Sequence, residues 1–584
     1  MDRFTDTPKD GTTTNKITNP SFEHATFGTN WSATQVYTLE DQFTTDRAAG
    51  AVNGTSAEPT GGTRTVVDTE SKLSIASSAL TFAGGKISPI FGDPGVWYPS
   101  ITRGAGKIIT TKINYNYNTA LYFGFDTGTT GKPNANAFFF NANSGQLMIY
   151  EGSANGPPLG TLATSTDYYF TVVLRGTGAY YYIKGGTFTN WTLLYISAID
   201  SSSTLYPSIA NWNGIFTADN IHIPTSTYLP APLAYDTFTR GDGAIGSSET
   251  TGPDSQTTPS LAWTGGAISS NKNVITPTLG SEAVTNGSFT SDTTGWTSPN
   301  GFGTLASVAG GQSGNALEIT MVSSGGQAAD QQITGLTTGQ WMIGSGYIKS
   351  GTSGNEQFYL QAGTTVGGGQ LGFVGGTSSV SWTQKFWAWR QTQTNAYINV
   401  DKYSATAGTM LFDEISVKPL TLSSLFSSVS TSDKDVVASA DVTMTAGTQA
   451  GVVTNLDSAG TPANFLIAYH DGTNVKLDKN VAGTYTNLIS ATTTYSAGAT
   501  LRVITYHSDA STLKVRVYYN NALVGTEQTV TDAGIISNTL HGLFSTYSGN
   551  TFDNFTLFAR GSDGEYAGIP AEPSDLLTAT ENTT

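Results

Sequence analysis

The feature that most constrains this chain is a signature it carries twice. Leu39-Glu-Asp-Gln-Phe-Thr44 matches Ala234-Tyr-Asp-Thr-Phe-Thr239, and the closing stretch Asp219-Asn-Ile-His-Ile223 parallels Thr551-Phe-Asp-Asn-Phe-Thr-Leu-Phe558. Two segments that begin and end alike are two copies of one folding unit. Inside each copy the apolar residues alternate, as in Ile108-Ile-Thr-Thr-Lys-Ile-Asn-Tyr115 and Tyr168-Tyr-Phe-Thr-Val-Val-Leu-Arg175 of the first. Thr500-Leu-Arg-Val-Ile-Thr-Tyr506 and Leu513-Lys-Val-Arg-Val-Tyr-Tyr519 do the same in the second. A period of two marks a half-buried strand. Gly176-Thr-Gly178 and Asn520-Asn521 are hairpin turns, because such residues accept the positive φ of tight turns. The second copy breaks off near Thr278 and resumes at Leu420, so something is inserted in it.

Composition bounds the class. Charged residues make up 12% of the 584, while 67 glycines and abundant Ser, Thr and Asn take their place. Aromatics at 11% supply enough buried surface for packed sheets, which excludes disorder. The chain is too long for one core. A net charge of −16 without any Lys/Arg cluster excludes a nucleic-acid groove and disfavours anionic membranes. No stretch reaches the roughly 20 apolar residues of a spanning helix. The absence of cysteine excludes disulfides and Cys-based metal sites. Met1-Asp-Arg-Phe-Thr-Asp6 lacks the apolar core of a signal peptide, which leads us to expect a protein not exported by that route.

The inserted stretch opens with Val284-Thr-Asn-Gly-Ser-Phe289 and Gly295-Trp296 and closes with Met410-Leu-Phe-Asp-Glu-Ile-Ser-Val-Lys418. It resembles the carbohydrate-binding jelly rolls of the family 4/9 type. The duplicated units, opening on Asp236-Thr-Phe-Thr-Arg-Gly-Asp-Gly243 and Leu261-Ala-Trp263, resemble laminin-G-like (concanavalin A-like) sandwiches. The expectation is an all-β chain of two antiparallel laminin-G-like sandwiches, the second interrupted by a jelly roll. Its parts are an arm (1–37), the first sandwich (38–229), the second (230–280 with 420–560), the insert (281–419) and a tail (561–584). Ile17-Thr-Asn-Pro-Ser-Phe22 repeats the insert's opening strand with no jelly roll behind it, an orphan strand suited to a sheet edge in cis or in trans. The ends of the insert should lie side by side, so that insert and bridged host each fold alone.

No catalytic pattern stands out. The five histidines, His24, His222, His470, His507 and His541, match no triad or metal spacing, and no Glu-x-Asp-x-x-Glu strand occurs. A non-enzymatic protein is expected. The resemblance implies a glycan platform, since sugars stack their CH faces on aromatic rings. Its candidates are Trp387, Trp389, Trp341, Tyr359 and Tyr397, with Trp382 and Phe386 as structural core and Gln327, Gln331, Gln357 and Gln361 as hydrogen-bonding groups. No cofactor is expected. Ca²⁺ is the one metal to weigh, at Asp126-Thr-Gly-Thr-Thr-Gly131 or His470-Asp-Gly-Thr-Asn474, although turn chemistry alone accounts for both loops. Such modules are similar to those of phage fibres and capsid-surface proteins, which implies a virion surface, contacts with other virion proteins or copies of itself, and adhesion to glycans. A bacterial polysaccharide-binding protein, secreted or at the cell surface, and a purely architectural subunit are the other readings.

Overall fold

The computed structural model describes residues 37–560, except 85–90, 117–119, 142–144, 153, 200, 213, 226, 302, 322–328 and 404–405, together with 565–566 and 569–570. The chain is all-β, and it divides into two compact units, 1–230 with 560–584, and 231–559. No helix among the described residues is long and apolar enough to cross a membrane. The orphan strand Ile17–Phe22 lies outside the described residues, as does most of the tail.

The first unit is a two-layer antiparallel sandwich. One sheet runs Phe188–Ile196, Ala179–Gly185, Thr166–Leu174, Ile108–Tyr115, Phe216–Pro224, Tyr37–Asp41. The other runs Ala154–Thr161, Gln146–Glu151, Asn136–Asn141, Leu121–Asp126, Thr204–Asn211, Gly95–Trp97. Phe138 of the second sheet meets Phe170 and Tyr181 of the first edge-on, at 4.9 and 5.1 Å between ring centroids. The alternation read from the sequence is what lets these rings interdigitate.

The duplicated opening has a physical reason. Asp41 and Asp236 each accept the amide of the phenylalanine two residues on, forming a turn that holds Phe43 at φ 50° and Phe238 at φ 55°. The phenylalanine thereby drops into the core and the carboxylate is buried. A buried carboxylate needs a partner. In the second copy Arg240, four residues on, grips Asp236 in two hydrogen bonds of 2.8 and 2.9 Å, and Trp263 Nε1 donates a third at 2.8 Å. The first copy has Thr45 at that position. Arg64 reaches across from a different loop to hold Asp41 at 2.7 and 2.5 Å, joined by the Tyr98 hydroxyl at 2.9 Å.

The second unit contains the second sandwich and the insert. Its back sheet joins strands from both sides of the insert: Lys272–Val274 pairs with Thr551–Ala559, which pairs with Val436–Thr443. Its front sheet runs Thr484–Thr492, Asn474–Val481, Asn464–His470, Ala450–Leu456, Leu540–Ser545, Phe426–Ser430, the same order as in the first unit. The insert enters and leaves on adjacent segments: Gly280 N donates to Pro419 O and Thr421 N to Thr278 O, at 2.8 and 2.9 Å. Its opening stretch bonds to the closing strand through Ala283 N–Val417 O and Ile415 N–Gly287 O. It forms no regular strand, since Asn286 and Phe289 sit at positive φ.

The insert is itself two antiparallel sheets. Five strands run Gly303–Ala309, Asn315–Met321, Thr409–Pro419, Trp341–Ser350, Thr383–Arg390; four run Ala329–Thr334, Asn395–Lys402, Gln357–Gly363, Gly372–Thr377. Between them lies a core of Phe289, Trp296, Met342, Leu360, Trp387, Trp389, Ile398 and Phe412.

The outer side of the five-stranded sheet docks on the host's front sheet. Trp341 sinks among Tyr469, Phe544 and Tyr485, with ring centroids at 5.8, 5.2 and 6.4 Å, and its Nε1 donates to the Tyr485 hydroxyl at 3.2 Å. Arg390 lies over the Tyr485 ring at 4.3 Å and pairs with Asp478 at 2.9 Å. Ala388 N donates to Gly447 O, and Gln449 Nε2 to Ala388 O. The host contributes Leu425, Phe426, Val453, Leu456, Phe465 and Ile467 to this second core. In the first unit the equivalent point of the chain, between Phe82 and Gly95, holds no inserted module; there Phe91 stacks on Trp212 at 5.0 Å.

Two buried histidines lead us to expect a loss of stability in acid. Burial holds His222 and His541 down to about 4, because it penalises the imidazolium; carbonyl acceptors only partly offset this. The unfolded chain titrates its histidines near 6.5, so between 6.5 and about 4 the unfolded state binds protons the folded state cannot. Stability therefore falls with pH in that window, by up to about 1.4 kcal/mol per pH unit for each histidine. Asp330, pushed up to about 6 by burial, works the other way, as do Asp126, Glu151, Asp219 and Asp413, also raised by burial. Asp167 and Asp471, held low by hydrogen bonds and lysines, add to the acid loss. The expected net result is a melting midpoint that drops from pH 6.5 to 4.5. His222→Gln with His541→Gln should flatten that dependence in thermal scans across pH.

Candidate functional site

The insert's four-stranded sheet buries one set of side chains and presents the other. Phe358, Leu360, Ala362, Ala396, Ile398, Val400 and Val374 point into the core. By strand alternation the opposite face carries Tyr359, Gln361, Tyr397, Asn399, Asp401 and Phe373, of which Asn399 and Asp401 are themselves buried, at 0% and 2% exposure. Register sets them in rows: Asp330, Asn399, Gln361 and Phe373 lie side by side, as do Asp401, Tyr359 and Gly375.

Aromatic rings cluster on this face. Tyr359 meets Phe373 at 6.1 Å and Tyr403 at 5.1 Å, both edge-on. Phe373 is 53% exposed and Tyr403 46%, unusual for rings of that size. The Tyr359 ring lies across Gly375, where a Cβ would stand 2.5 Å from it. That glycine lets the ring lie flat against the sheet. Around the rings, Gln361 Nε2 donates to Asp401 Oδ2 at 2.9 Å and Gln357 Nε2 to the Tyr359 hydroxyl at 2.8 Å. A loop closes one end: Gly367 N donates to Asp330 Oδ1 and Asn399 Oδ1, both at 2.9 Å, and Val366 beside it is exposed. Asp330 Oδ2 is buried with no hydrogen-bond partner among the described residues, which explains its raised pKa. Rings bordered by the amides of Gln357 and Gln361 can stack an apolar ring face and hydrogen-bond its hydroxyls.

The expected platform is thus corrected in part. Tyr359 and Tyr397 share this face, and so do Gln357 and Gln361. Trp387 and Trp389 do not: they are buried at 0% and 1% exposure, stacked 6.4 Å apart inside the insert. Trp387 sits over Gly344, and Trp389 Nε1 donates to Gln391. The strand Thr383–Arg390 is apolar on both sides because its outer side meets the host, which inverts the expected assignment. Phe386, expected in the core, instead packs tilted against Tyr547 of the host, ring centroids 4.2 Å apart. Trp341 is buried against the host and unavailable as a platform. Trp382 is half-buried beneath Lys349. Gln331 is buried, bonded to both backbone groups of Thr285; Gln327 lies outside the described residues. Sequence reasoning missed Phe373, Tyr403, Asn399 and Asp401. The alternation Gly372-Phe-Val-Gly-Gly376 carried the one available signal, a large ring isolated among glycines.

The loops weighed for Ca²⁺ are occupied by turn bonds. Asp126 accepts Trp97 Nε1 and Thr127 N, and Asp471 accepts Thr473 N and Asn474 N beside Lys476. Among the described residues no three His, Asp or Glu side chains group as metal ligands would.

No family model matches the chain, and no curated protein matches it. Among solved structures it is similar to the carbohydrate-binding module CBM66 from Bacillus subtilis, at 18% identity over 23% of this chain and 83% of that one, with a TM-score of 0.19. It is similar to a CBM4 module at 16% identity, over 23% of this chain and 99% of that one, with a TM-score of 0.20. A third is the N-terminal CBM22-1-CBM22-2 tandem from Paenibacillus barcinonensis Xyn10C, at 12% identity over 49% and 99%, with a TM-score of 0.22. All three are carbohydrate-binding modules; the laminin-G-like and phage parts of the sequence resemblance find no support in them. At these scores the likeness decides nothing about function, and the geometry of the sheet face must.

Proposed function

We propose that this is a non-enzymatic glycan-binding protein whose insert takes a polysaccharide across its four-stranded sheet. The observation that carries the reading is the Tyr359–Phe373–Tyr403 cluster, with Phe373 and Tyr403 exposed on the sheet face and Gln357 and Gln361 beside it. Adjoining exposed rings, unlike single scattered ones, mark an interaction surface. The rings supply stacking and the amides supply hydrogen bonds. The second sandwich acts as the scaffold on which the insert docks.

The test is binding of the whole protein to a glycan array and to soluble polysaccharides. Tyr359→Ala with Phe373→Ala should weaken binding roughly tenfold or more, from about 0.5–1.5 kcal/mol of aromatic contact per ring. Because the rings are partly exposed, the melting midpoint should move little. Unchanged binding in the double variant would sink the reading. Placement on a phage particle rests on the sequence resemblance, and mass spectrometry of purified particles against culture supernatant decides between virion and bacterial surface.

A further inference from the structure

The opposite side of the insert carries a second concave surface. A groove of about 640 Å³ runs over the outer side of the five-stranded sheet, lined by Ser345, Tyr347, Gln384, Gln312, Glu282 and Glu414. It shares Ser345, Ser416 and Lys418 with a smaller hollow of about 230 Å³ at the junction with the host. Phe386, Tyr547 and the 51%-exposed Leu279 line that hollow. The two adjoin along these residues, polar over the insert and apolar where insert meets host. Sheet register explains the gradient. Tyr347 pairs with Gln384 and Ser345 with Phe386, while one step further Ile343 and Ala388 are already docked on the host.

The polar end is chemically open. The side chains of Tyr347, Gln384, Gln312 and Glu414 make no hydrogen bond or ion pair with the described residues. Glu414 is held at φ 50°, a conformation costly for a residue with a Cβ. The irregularity in pairing between Ser345 and Tyr347 accompanies it and turns Glu414 into the groove. Glu282, by contrast, is fully engaged: it accepts Val284 N, Val417 N and the Ser416 hydroxyl. Lys418 lies 4.0 Å from it. Two carboxylates against one lysine repel uronate and sulfate groups. Carboxylate, amide and phenol groups in one groove suit hydroxyls, and the Phe386–Tyr547 pair suits the apolar face of a ring.

We propose that this junction groove is a second, independent site for a neutral glycan chain, read by Tyr347, Gln384 and Glu414 and anchored on Phe386 and Tyr547. A groove between insert and host is a place where ligand sites commonly form. The site exists only while the two are docked, so the insertion would create a surface that neither module has alone.

The test uses the full chain in affinity gels containing galactomannan, xylan or mixed-linkage β-glucan, with alginate and polygalacturonate as acidic probes. Tyr359→Ala with Phe373→Ala removes the sheet face, and retardation by at least one neutral polymer should persist. Adding Tyr347→Ala and Gln384→Ala should abolish it, whereas the acidic polymers retard none of the variants. If the groove pair alone abolishes all binding, the sheet-face reading fails and the groove stands. If no neutral polymer retards the sheet-face variant, or the groove pair changes nothing, the proposal is overturned. Should the groove pair lower the melting midpoint, Glu414→Gln, nearly equal in shape, replaces it and should weaken the persisting retardation at least threefold.

Discussion

A host sandwich closed by a short Gly-Ser bridge from Thr278 to Leu420, in place of residues 279–419, is expected to aggregate rather than fold as a soluble monomer. The insertion pattern in the sequence led to the opposite expectation, that bridged host and insert fold separately. The termini of the insert do lie together, so loop closure is not the obstacle. The obstacle is the front sheet, whose outer side carries Phe426, Val453, Leu456, Phe465, Ile467 and Phe544 under the insert. Without its cover this becomes a contiguous apolar patch of the kind that drives association. Trp341→Ala tests the same contact more gently. It should cost about 3–5 kcal/mol, as for other buried tryptophans, and lower the melting midpoint while the protein stays soluble. A bridged host that is monomeric and melts cooperatively would show that the sealing is dispensable.

Asp41→Ala is expected to be the most damaging single substitution in the first unit. The side chains of Asp41 and Arg64 are both at 0% exposure, so removing one leaves a full charge buried without its partner, at about 3–5 kcal/mol. It also deprives Tyr98 of its acceptor and Phe43 of the turn that seats it. Calorimetry should show an early transition from the first unit and a second near its original position. The double substitution Asp41→Leu with Arg64→Met should recover much of the loss, because the pair need not be ionic to be packed. If Asp41→Ala melts like the parent protein, the carboxylate is not what organises the opening turn.

Much of the fold was legible because alternation and turn chemistry are local. The hairpin at Asn520-Asn521 formed as read, with both residues at positive φ joining Tyr519 to Ala522. The candidate site was legible only in part. Tyr359 and Tyr397 stood out as aromatics on an alternating strand, and Tyr359 does join the cluster. Phe373 and Tyr403 reach it from other strands and loops, through pairings that no local pattern specifies.

The sequence by itself determined an all-β chain, the recurring opening turn and which strands alternate. Those features follow from residue order, from the pairing of Asp with a phenylalanine two positions on, and from glycine and asparagine at tight turns. Tertiary structure alone decided which side of each insert strand faces solvent. In Thr383–Arg390 the tryptophans go inward and Phe386 and Ala388 outward, because a second module lies against the outer side. Period-two alternation states that a strand has two sides. It cannot say what each side will meet when both are apolar, since that depends on a host sheet whose strands follow the insert in the chain. The partner of Asp41 was decided the same way: a buried carboxylate demands a cation, and only the folded chain shows that Arg64 supplies it where Arg240 does in the second copy.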